Sequence, residues 1–362
     1  MLFMRSDAII KVIRYLLFPV SVIYGLVVLL RNFLYNKKIL RSATFNLPVI
    51  CVGNLSVGGT GKTPMTEYLI RLLKKDYLVA TLSRGYKRKT KGYLLAGKNT
   101  TARDIGDEPM QFHTSFPEIR VAVGEQRAEA IPALLYDAPE TEIIILDDAF
   151  QHRPVNAGLN ILLTEFGNLY VDDFFLPAGN LRDAKTSAQR AHIIIVTKCP
   201  PDLSVRQKEK ITERLNPLPG QQVFFSHIAY NKPYHLFARD EKKKLSGSHV
   251  LLITGIANTG KLISYIQAHA GYVELLRYSD HHDFTHNDVL ALINRFSSVA
   301  ATDKIILTTE KDAVKLSNFK DILMGVPVYV LPIHHAFLFD ERPEFDATIL
   351  NFIKAFSAKE VN

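Results

Sequence analysis

The stretch "VICVGNLSVGGTGKTP", Val49 to Pro64, joins an apolar, β-branched run to a segment rich in glycine. The apolar run is typical of a buried strand, and "MTEYLIRLLKK" after it carries apolar residues at the spacing of an amphipathic helix. A glycine loop between a strand and a helix is the context in which backbone N–H groups hold a phosphate. We therefore predict a phosphate-binding strand–loop–helix unit here.

The loop follows the pattern G-x-x-x-x-G-K-[ST], except that a serine stands at the first position. In this pattern the lysine reaches the β- and γ-phosphates and the final hydroxyl binds Mg²⁺. The alternative is a tight turn with an exposed lysine. The predicted nucleotide-binding residues, called the phosphate loop below, are Ser56, Val57, Gly58, Gly59, Thr60, Gly61, Lys62 and Thr63.

A second stretch, "GIANTGKL", resembles the phosphate loop but differs at a decisive position. It runs from Gly255 to Leu262 and also follows a predicted strand. Leu262 stands where the metal-binding hydroxyl is needed, so the stretch cannot complete a magnesium site. We predict only a helix-capping turn there.

The composition is that of an ordinary globular protein with an excess of positive charge. A chain of 362 residues predicts two domains. The 44 Lys and Arg against 36 Asp and Glu give a net charge of +8, which suits an anionic partner. The two cysteines, Cys51 and Cys199, lack metal-ligand spacing, so we expect a reducing compartment and no disulfide framework.

An uncharged apolar run, Tyr15–Leu30, lies near the start of the chain between Arg14 and Arg31. It is short for a membrane span of roughly 20 residues, and Pro19 is expected to kink the helix. No small-residue cleavage site follows, so a signal peptide is not expected. We predict a helix that lies in or dips into the membrane interface, with a buried core helix as the alternative.

Short apolar runs alternate with helix-like segments through the rest of the chain, which predicts an α/β fold. Their near-continuous hydrophobicity indicates parallel strands that are covered on both faces. A charged stretch, Ala238–Ser248, is predicted to be a solvated loop, and a second α/β set begins after it at "HVLLITGIAN". The predicted strands of the first set are Val49–Val52, Leu78–Leu82, Ile143–Leu146, Ile161–Leu163 and Ile193–Thr197.

The predicted fold is therefore a phosphate-loop NTPase-like parallel-sheet domain, a second, smaller α/β domain, and an N-terminal membrane-associated helix. Their predicted boundaries are residues 41–220, 221–362 and 1–40, respectively.

Two adjacent carboxylates end the predicted strand in "IIILDDAFQHR". Asp147 and Asp148 come directly after the apolar run, and the carboxyl ends of parallel strands lie beside a phosphate loop. A magnesium-bound nucleoside triphosphate needs such a carboxylate. The alternative is that the aspartates only form a turn. We predict that they belong to a magnesium site.

Four further clusters carry candidate chemistry. "LSRGYKRK" places Arg84 in a basic loop that suits phosphate or acidic lipid, or is simply solvated. "IGDEPMQF" holds Asp107, which is either a general base or part of a turn. "LPAGNLRDAK" carries Arg182, which suits a phosphate. In "YSDHHDFT", the adjacent side chains of His281 and His282 diverge, so a histidine oriented by an aspartate is favoured over a metal site.

Together these segments resemble one family, the tetraacyldisaccharide 4'-kinases of lipid A biosynthesis. The family motifs VGN-x-x-x-GG-x-GKTP, SRGY, GDEP, DD-x-FQH, TGIAN, DHH-x-F and TEKDAVK, with a leucine–arginine step after a Pro-x-Gly turn, occur over about residues 45–320. The chain departs from the usual pattern at Ala149, Asp183 and Thr259. The matching stretches are Val52–Pro64, Ser83–Tyr86, Gly106–Pro109, Asp147–His152, Pro177–Arg182, Thr254–Asn258, Asp280–Phe284 and Thr309–Lys315.

The resemblance implies a reaction. The enzyme would transfer the γ-phosphoryl group of ATP, with Mg²⁺, to the 4'-hydroxyl of a tetraacylated glucosamine disaccharide 1-phosphate lipid, forming lipid IVA. It would act at the cytoplasmic face of the inner membrane, associated with the membrane surface.

The resemblance also implies roles for individual residues. Asp107 matches the base and His281 its partner, so that their pairing requires the cleft between the two domains to close. The remaining implied site residues are Lys62 for phosphate and catalysis, Thr63, Asp147 and Asp148 for the metal, and Arg84, Arg127, Arg182 and His152 for the substrate.

Two other classes of protein remain open. A phosphate-loop NTPase with a regulatory or metal-delivery role would need metal-ligand clusters or switch-like elements, and we find no convincing ones. A nucleic-acid-binding protein would need a basic face interleaved with aromatic residues. The positive charge lies instead near the apolar start and around SRGY, so we expect no nucleic acid.

Overall fold

The computed structural model describes residue 14 and residues 16–360. Residues 1–13 and Tyr15 of the predicted N-terminal segment lie outside the described residues. The strands, in chain order, are β1 (Val49–Asn54), β2 (Val79–Ser83), β3 (Leu94–Leu95), β4 (Arg120–Val123), β5 (Ile143–Asp147), β6 (Leu159–Glu165), β7 (Ile193–Thr197), β8 (Gln222–Tyr230), β9 (Tyr234–His235), β10 (Ala238–Lys242), β11 (His249–Thr254), β12 (Tyr272–Arg277), β13 (Lys304–Thr309), β14 (Val328–Leu331) and β15 (Ile333–Phe337).

The helices cover the two sheets and connect their parallel strands. In chain order they are α1 (Phe18–Asn36), α2 (Lys62–Leu73), α3 (Ala102–Ile105), α4 (Asp107–Ser115), α5 (Arg127–Asp137), α6 (Val205–Leu215), α7 (Gly260–His269), α8 (His286–Ser298), α9 (Glu310–Leu316), α10 (Lys320–Leu323) and α11 (Arg342–Glu360).

The first sheet has nine strands in the order β15-β8-β7-β6-β1-β5-β2-β4-β3. The strands from β8 to β4 are parallel, and an antiparallel strand lies at each edge. Successive side chains of β1 belong to different apolar clusters: Val49 and Cys51 pack in one, Ile50 and Val52 in the other. Both faces are therefore covered, and all five strands predicted for this sheet are confirmed.

The second sheet has six strands in the order β10-β9-β14-β13-β11-β12, of which β12, β11, β13 and β14 are parallel. The prediction of a solvated loop at Ala238–Ser248 is wrong for its first part, because Ala238–Lys242 forms the edge strand β10. Every residue of β10 is exposed, so the strand shows no alternation of apolar and polar residues. Its charged side chains suit an unpaired sheet edge.

The chain returns from the second sheet to the first. β15 pairs with β8 in the first sheet, with Ile333 opposite Tyr230. Side chains of α11, including Phe345 and Ile349, pack in the core of the first sheet. The predicted boundary at residue 220 thus does not follow the division between the sheets, because the pairing of β15 with β8 joins segments that are distant in sequence.

Helix α1 exposes most of its apolar surface. Within the described residues it is the one helix long and apolar enough to cross a membrane, judged by length and composition alone. Only Ser21, Gly25 and Asn32 are buried, so the alternative of a core helix is wrong. Pro19 lies in the first turn of Phe18–Asn36, where its missing N–H is not needed. The exposed apolar residues of α1 include Phe18, Val20, Val22, Ile23, Leu26, Val27, Leu29, Leu30 and Phe33.

Candidate active site

The phosphate loop lies between β1 and α2, as the sequence predicts. Gly58 and Gly61 have φ values of +107° and +89°, which glycine adopts without strain. A Cβ at Gly58 or Gly59 would meet no atom within 4 Å, so the backbone at these positions borders open space. The strand–loop–helix unit is confirmed, and its geometry leaves room for a ligand against the loop.

Side chains from distant strands hold the end of the phosphate loop. The hydroxyl of Thr197 donates to the carbonyl oxygen of Thr60 at 2.8 Å. His335 Nε2 lies 2.9 Å from the carbonyl oxygen of Gly61, which can only accept, so Nε2 carries the proton. The other ring nitrogen accepts from the hydroxyl of Ser226 at 2.9 Å. Burial lowers the pKa of His335 to about 4. Sequence reasoning missed this histidine, because nothing in "IHHAF" sets it apart from an ordinary strand.

Asp147 ends β5 and is almost completely buried. Its Oδ1 accepts a hydrogen bond from the hydroxyl of Thr66 at 3.0 Å. Burial raises the pKa of Asp147 to about 7, and the charge of Asp148 acts in the same direction. A carboxylate in this environment is stabilised by any nearby cation.

Asp148 is held by two cationic side chains. Arg182 donates to both carboxylate oxygens, at 3.1 Å for the Nη1–Oδ2 contact, and Lys62 Nζ lies 3.7 Å from Oδ1. Burial alone would raise the pKa of Asp148, but Lys62 and Arg182 lower it below its usual value. Lys62 also donates to Asn54 Oδ1 at 3.3 Å. The structure therefore brings the predicted Lys62, Asp148 and Arg182 into direct contact.

A second cationic group lies at the same edge of the first sheet. Arg127 is buried, and its backbone N–H donates to His152 Nε2 at 3.2 Å. Burial, together with the charges of Arg127, Arg31 and Arg84, lowers the pKa of His152 to about 4. Arg84 is exposed in the loop after β2. An excess of fixed positive charge suits an anionic substrate.

Asp107 is the first residue of α4. From the sequence, this residue was either a general base or part of a turn. Its Oδ2 lies 3.1 Å from His281 Nδ1 and 2.9 Å from Lys315 Nζ. Burial alone would raise the pKa of Asp107, but His281 and Lys315 lower it. The segments that carry Asp107 and His281 are thus already in contact in the structure.

Two lysines of α9 were not among the predicted site residues, although both lie in the TEKDAVK motif. Lys315 contacts Asp107, and Lys311 Nζ lies 3.0 Å from His281 Nε2 and 2.9 Å from Asp280 Oδ1. The signal that would have found them is their spacing of four residues, which places both on one helix face.

Most of the chain is similar to one group of known proteins. The profile of the family described as tetraacyldisaccharide-1-P 4'-kinase matches residues 13–354. The chain belongs to this family. The tetraacyldisaccharide 4'-kinase of Phocaeicola vulgatus is 45% identical over 93% of this chain and 94% of its own length. That of Flavobacterium johnsoniae is also 45% identical, over 95% of this chain and 98% of its own length.

A solved structure extends the similarity to the fold. LpxK from Aquifex aeolicus, in an "apo" form described as a complex with ATP, is 28% identical and superposes with a TM-score of 0.73. The match covers 94% of this chain and 99% of that one. Family membership makes this protein a kinase that phosphorylates the 4'-position of the tetraacyldisaccharide 1-phosphate in lipid A biosynthesis.

The polar face of α1 is anchored beside the candidate active site of the kinase. Asn32 Nδ2 donates to Asp183 Oδ1 at 2.7 Å, and Tyr24 donates to the backbone carbonyl of Arg182 at 3.0 Å. Arg31 donates to the backbone carbonyl of Gln151 at 2.9 Å. The exposed apolar face of α1 is therefore fixed relative to Arg182.

The residues of the kinase fit a magnesium ion that is shared with phosphate oxygens. Among the described residues, no group of three or more His, Cys, Asp or Glu side chains is arranged to hold a metal ion. The carboxylates of Asp147 and Asp148 and the hydroxyl of Thr63 are hard oxygen donors. Mg²⁺ is commonly bound by one or two carboxylates together with substrate phosphates and water.

Proposed function

We propose that this kinase transfers the γ-phosphoryl group of ATP to the 4'-hydroxyl of its disaccharide lipid, with Mg²⁺, at the cytoplasmic face of the membrane. The observation that carries the proposal is that Lys62 of the phosphate loop and the start of α4, which carries Asp107, lie close enough for their charges to interact. Burial lowers the pKa of Lys62, and the carboxylates of Asp148 and Glu108 counter that shift. Glu108 follows Asp107 in the chain, so the donor and acceptor sides of the reaction share one region.

The nucleotide would lie against the phosphate loop, from Ser56 to Thr63. The open backbone at Gly58 and Gly59 and the start of α2 favour an anion there. The ATP described for the Aquifex aeolicus relative supports the choice of nucleotide. Asp147, Asp148 and Thr63 would hold Mg²⁺, which would neutralise charge on the β- and γ-phosphates.

Asp107 would orient the sugar hydroxyl and accept its proton. Phosphoryl transfer has a loose transition state, so the base acts mainly by positioning and takes the proton late. His281 would hold the carboxylate in place through its Nδ1–Oδ2 contact of 3.1 Å. Arg84, Arg127, Arg182 and His152 would face the phosphate groups of the substrates.

Helix α1 would lie in the membrane interface. Its buried Ser21, Gly25 and Asn32 face the protein, while its apolar side chains are exposed. The flanking Lys37, Lys38 and other exposed cations suit anionic head groups. A helix anchored along one side fits a position in the interface better than a crossing of the bilayer.

The test is incubation of the purified kinase with [γ-³²P]ATP, Mg²⁺ and the tetraacyldisaccharide 1-phosphate lipid in detergent. We expect a labelled lipid bearing the new phosphate at the 4'-position, and a loss of turnover by orders of magnitude in Asp107→Asn with ATP affinity retained. Release of labelled inorganic phosphate without labelled lipid would favour a phosphate-loop NTPase instead. Unimpaired turnover in Asp107→Asn would remove the base assignment.

A further inference from the structure

Two lysines of α9 contact both members of the Asp107–His281 pair. Lys315 Nζ lies 2.9 Å from Asp107 Oδ2, and Lys311 Nζ lies 3.0 Å from His281 Nε2. They are four residues apart, so they lie on one face of the helix, one turn from each other. One helix, α9, therefore supplies cationic neighbours to the pair formed by Asp107 of α4 and His281.

Lys315 is unusually well buried for a lysine. Its side chain is 7% exposed, and it also donates to the backbone carbonyl of His282 at 3.0 Å. An ammonium group removed from water needs a charge partner and further acceptors. Asp107 supplies the charge at 2.9 Å, whereas the carboxylate of Asp283 is 3.9 Å away and mostly exposed. Lys315 therefore stabilises the charged form of Asp107.

The contact with Lys311 determines how His281 is protonated. An ammonium group has no lone pair, so His281 Nε2 accepts the hydrogen bond from Lys311. The proton of the ring is then on Nδ1, which donates to Asp107 Oδ2 at 3.1 Å. Both ring nitrogens are engaged, so His281 orients the carboxylate and does not take the substrate proton.

The two donors to Asp107 use the same oxygen atom. His281 Nδ1 and Lys315 Nζ both contact Oδ2. Among the described residues, the hydrogen bond and the ion pair of this carboxylate both involve Oδ2. Oδ1 is therefore available to another donor. A substrate hydroxyl is such a donor.

We propose that Lys315 and Lys311 are positioning residues for phosphoryl transfer. Together they orient the Asp107 carboxylate so that Oδ1 receives the substrate proton. This inference rests on the proposed function. The 4'-oxygen of the sugar forms a bond to the γ-phosphorus while the bond from that phosphorus to the departing ADP oxygen breaks. The hydroxyl proton moves to Asp107 Oδ1. Lys315 keeps Asp107 ionised before the transfer, and Lys311 keeps the ring of His281 in the donor tautomer.

The charged surroundings of Asp107 support this role. Burial alone would raise its pKa, and His281 and Lys315 together reverse the shift. The other charged or titratable groups on the elements around it are Tyr86, Glu108, Asp280, Asp283 and Lys311. An opposite charge within about 4–6 Å lowers the pKa of an aspartate by about 1–3 units. Lys315 is the cation in direct contact, so its removal should reverse much of this effect.

The experiment compares Lys315→Met, Lys315→Gln and Lys315→Arg in the full-length kinase in detergent micelles. For each we would measure kcat/KM for the lipid from pH 3.5 to 9 and the affinity for ATP. Lys320→Met is the control, because Lys320 is exposed on the next helix. We expect the acid limb of kcat/KM to move up by about 1–3 pH units in the two neutral variants, with ATP affinity within about twofold of wild type. Lys315→Arg and Lys320→Met should keep the acid limb of the wild type.

A second arm tests Lys311 by ¹⁵N NMR of histidine-labelled enzyme. The wild type should show His281 with a protonated Nδ1, and Lys311→Met should change that tautomer or its exchange. A uniform fall of kcat/KM in Lys315→Met and Lys315→Gln, with the acid limb unmoved, would reduce Lys315 to a structural role and overturn the inference. Failure of the wild type to phosphorylate the lipid would overturn the proposed function and this inference with it.

Discussion

The imidazole of His335 provides a sharp test of how the phosphate loop is held. The ring is buried between Gly61 and Ser226, and burial lowers its pKa from 6.5 to about 4. A histidine with a lower pKa in the folded protein takes up its proton on unfolding, so acid favours the unfolded chain. The stability that depends on the uncharged ring is complete above about pH 6.5 and is lost as the pH falls from there towards 4.

The substitution His335→Gln removes this titration while keeping a side-chain N–H. With pKa values of 6.5 and about 4, protonation of the unfolded state should cost the wild type about 2 kcal/mol of unfolding free energy between pH 7.5 and pH 5. The variant should be less stable at pH 7.5, and the difference from wild type should shrink by about that amount at pH 5. His152 and Asp147 titrate in both proteins, so their contributions cancel.

The assay is urea unfolding in detergent, followed by circular dichroism because the chain has no tryptophan. His269→Gln is the matched control, since His269 is exposed on α7. It should follow the wild type at every pH. Parallel loss of stability in wild type and His335→Gln down to pH 5 would refute an uncharged, buried His335.

Three further predictions concern the nucleotide, the metal and the membrane. Lys62→Ala should lower turnover at least about 100-fold without loss of structure, because the β- and γ-phosphates lose their charge partner; near-normal kinase activity in the folded variant would exclude the loop as the ATP site. Asp148→Asn should sharply lower turnover and raise the Mg²⁺ concentration needed, and an unchanged Mg²⁺ titration would count against a metal role. Ile23→Glu with Leu30→Glu should abolish sedimentation with anionic vesicles, because both side chains are exposed on α1. Leu78→Glu, on the exposed surface of the body, is the control, and co-sedimentation of the double variant at the wild-type level would contradict interface binding.

The sequence by itself determined the elements whose causes are local. The phosphate loop could be predicted because a strand, a glycine turn and a helix follow one another within a few residues of Gly61. Asp147 and Asp148 could be placed at a strand end for the same reason. The apolar run of α1 predicted a membrane-associated helix, although only the structure revealed that Asn32 and its neighbours on one face bind the protein body. The family motifs implied the reaction. They did not give the arrangement of the site, because a motif specifies residues and not the distances between them.

Tertiary structure alone decided which distant groups meet. The contacts of His335 with Gly61 and of Lys315 with Asp107 join segments far apart in the chain, and no local pattern encodes them. The pairing of β15 with β8 also joins segments that are distant in sequence, so the predicted domain boundary at residue 220 does not follow the division between the sheets. The strand β10 was not predicted, because apolar and polar residues alternate along a strand only when one face is buried. Neither face of β10 is buried. Periodicity and turn chemistry record each residue's immediate surroundings, whereas the aim of a catalytic carboxylate depends on hydrogen bonds that form only when the whole chain has packed.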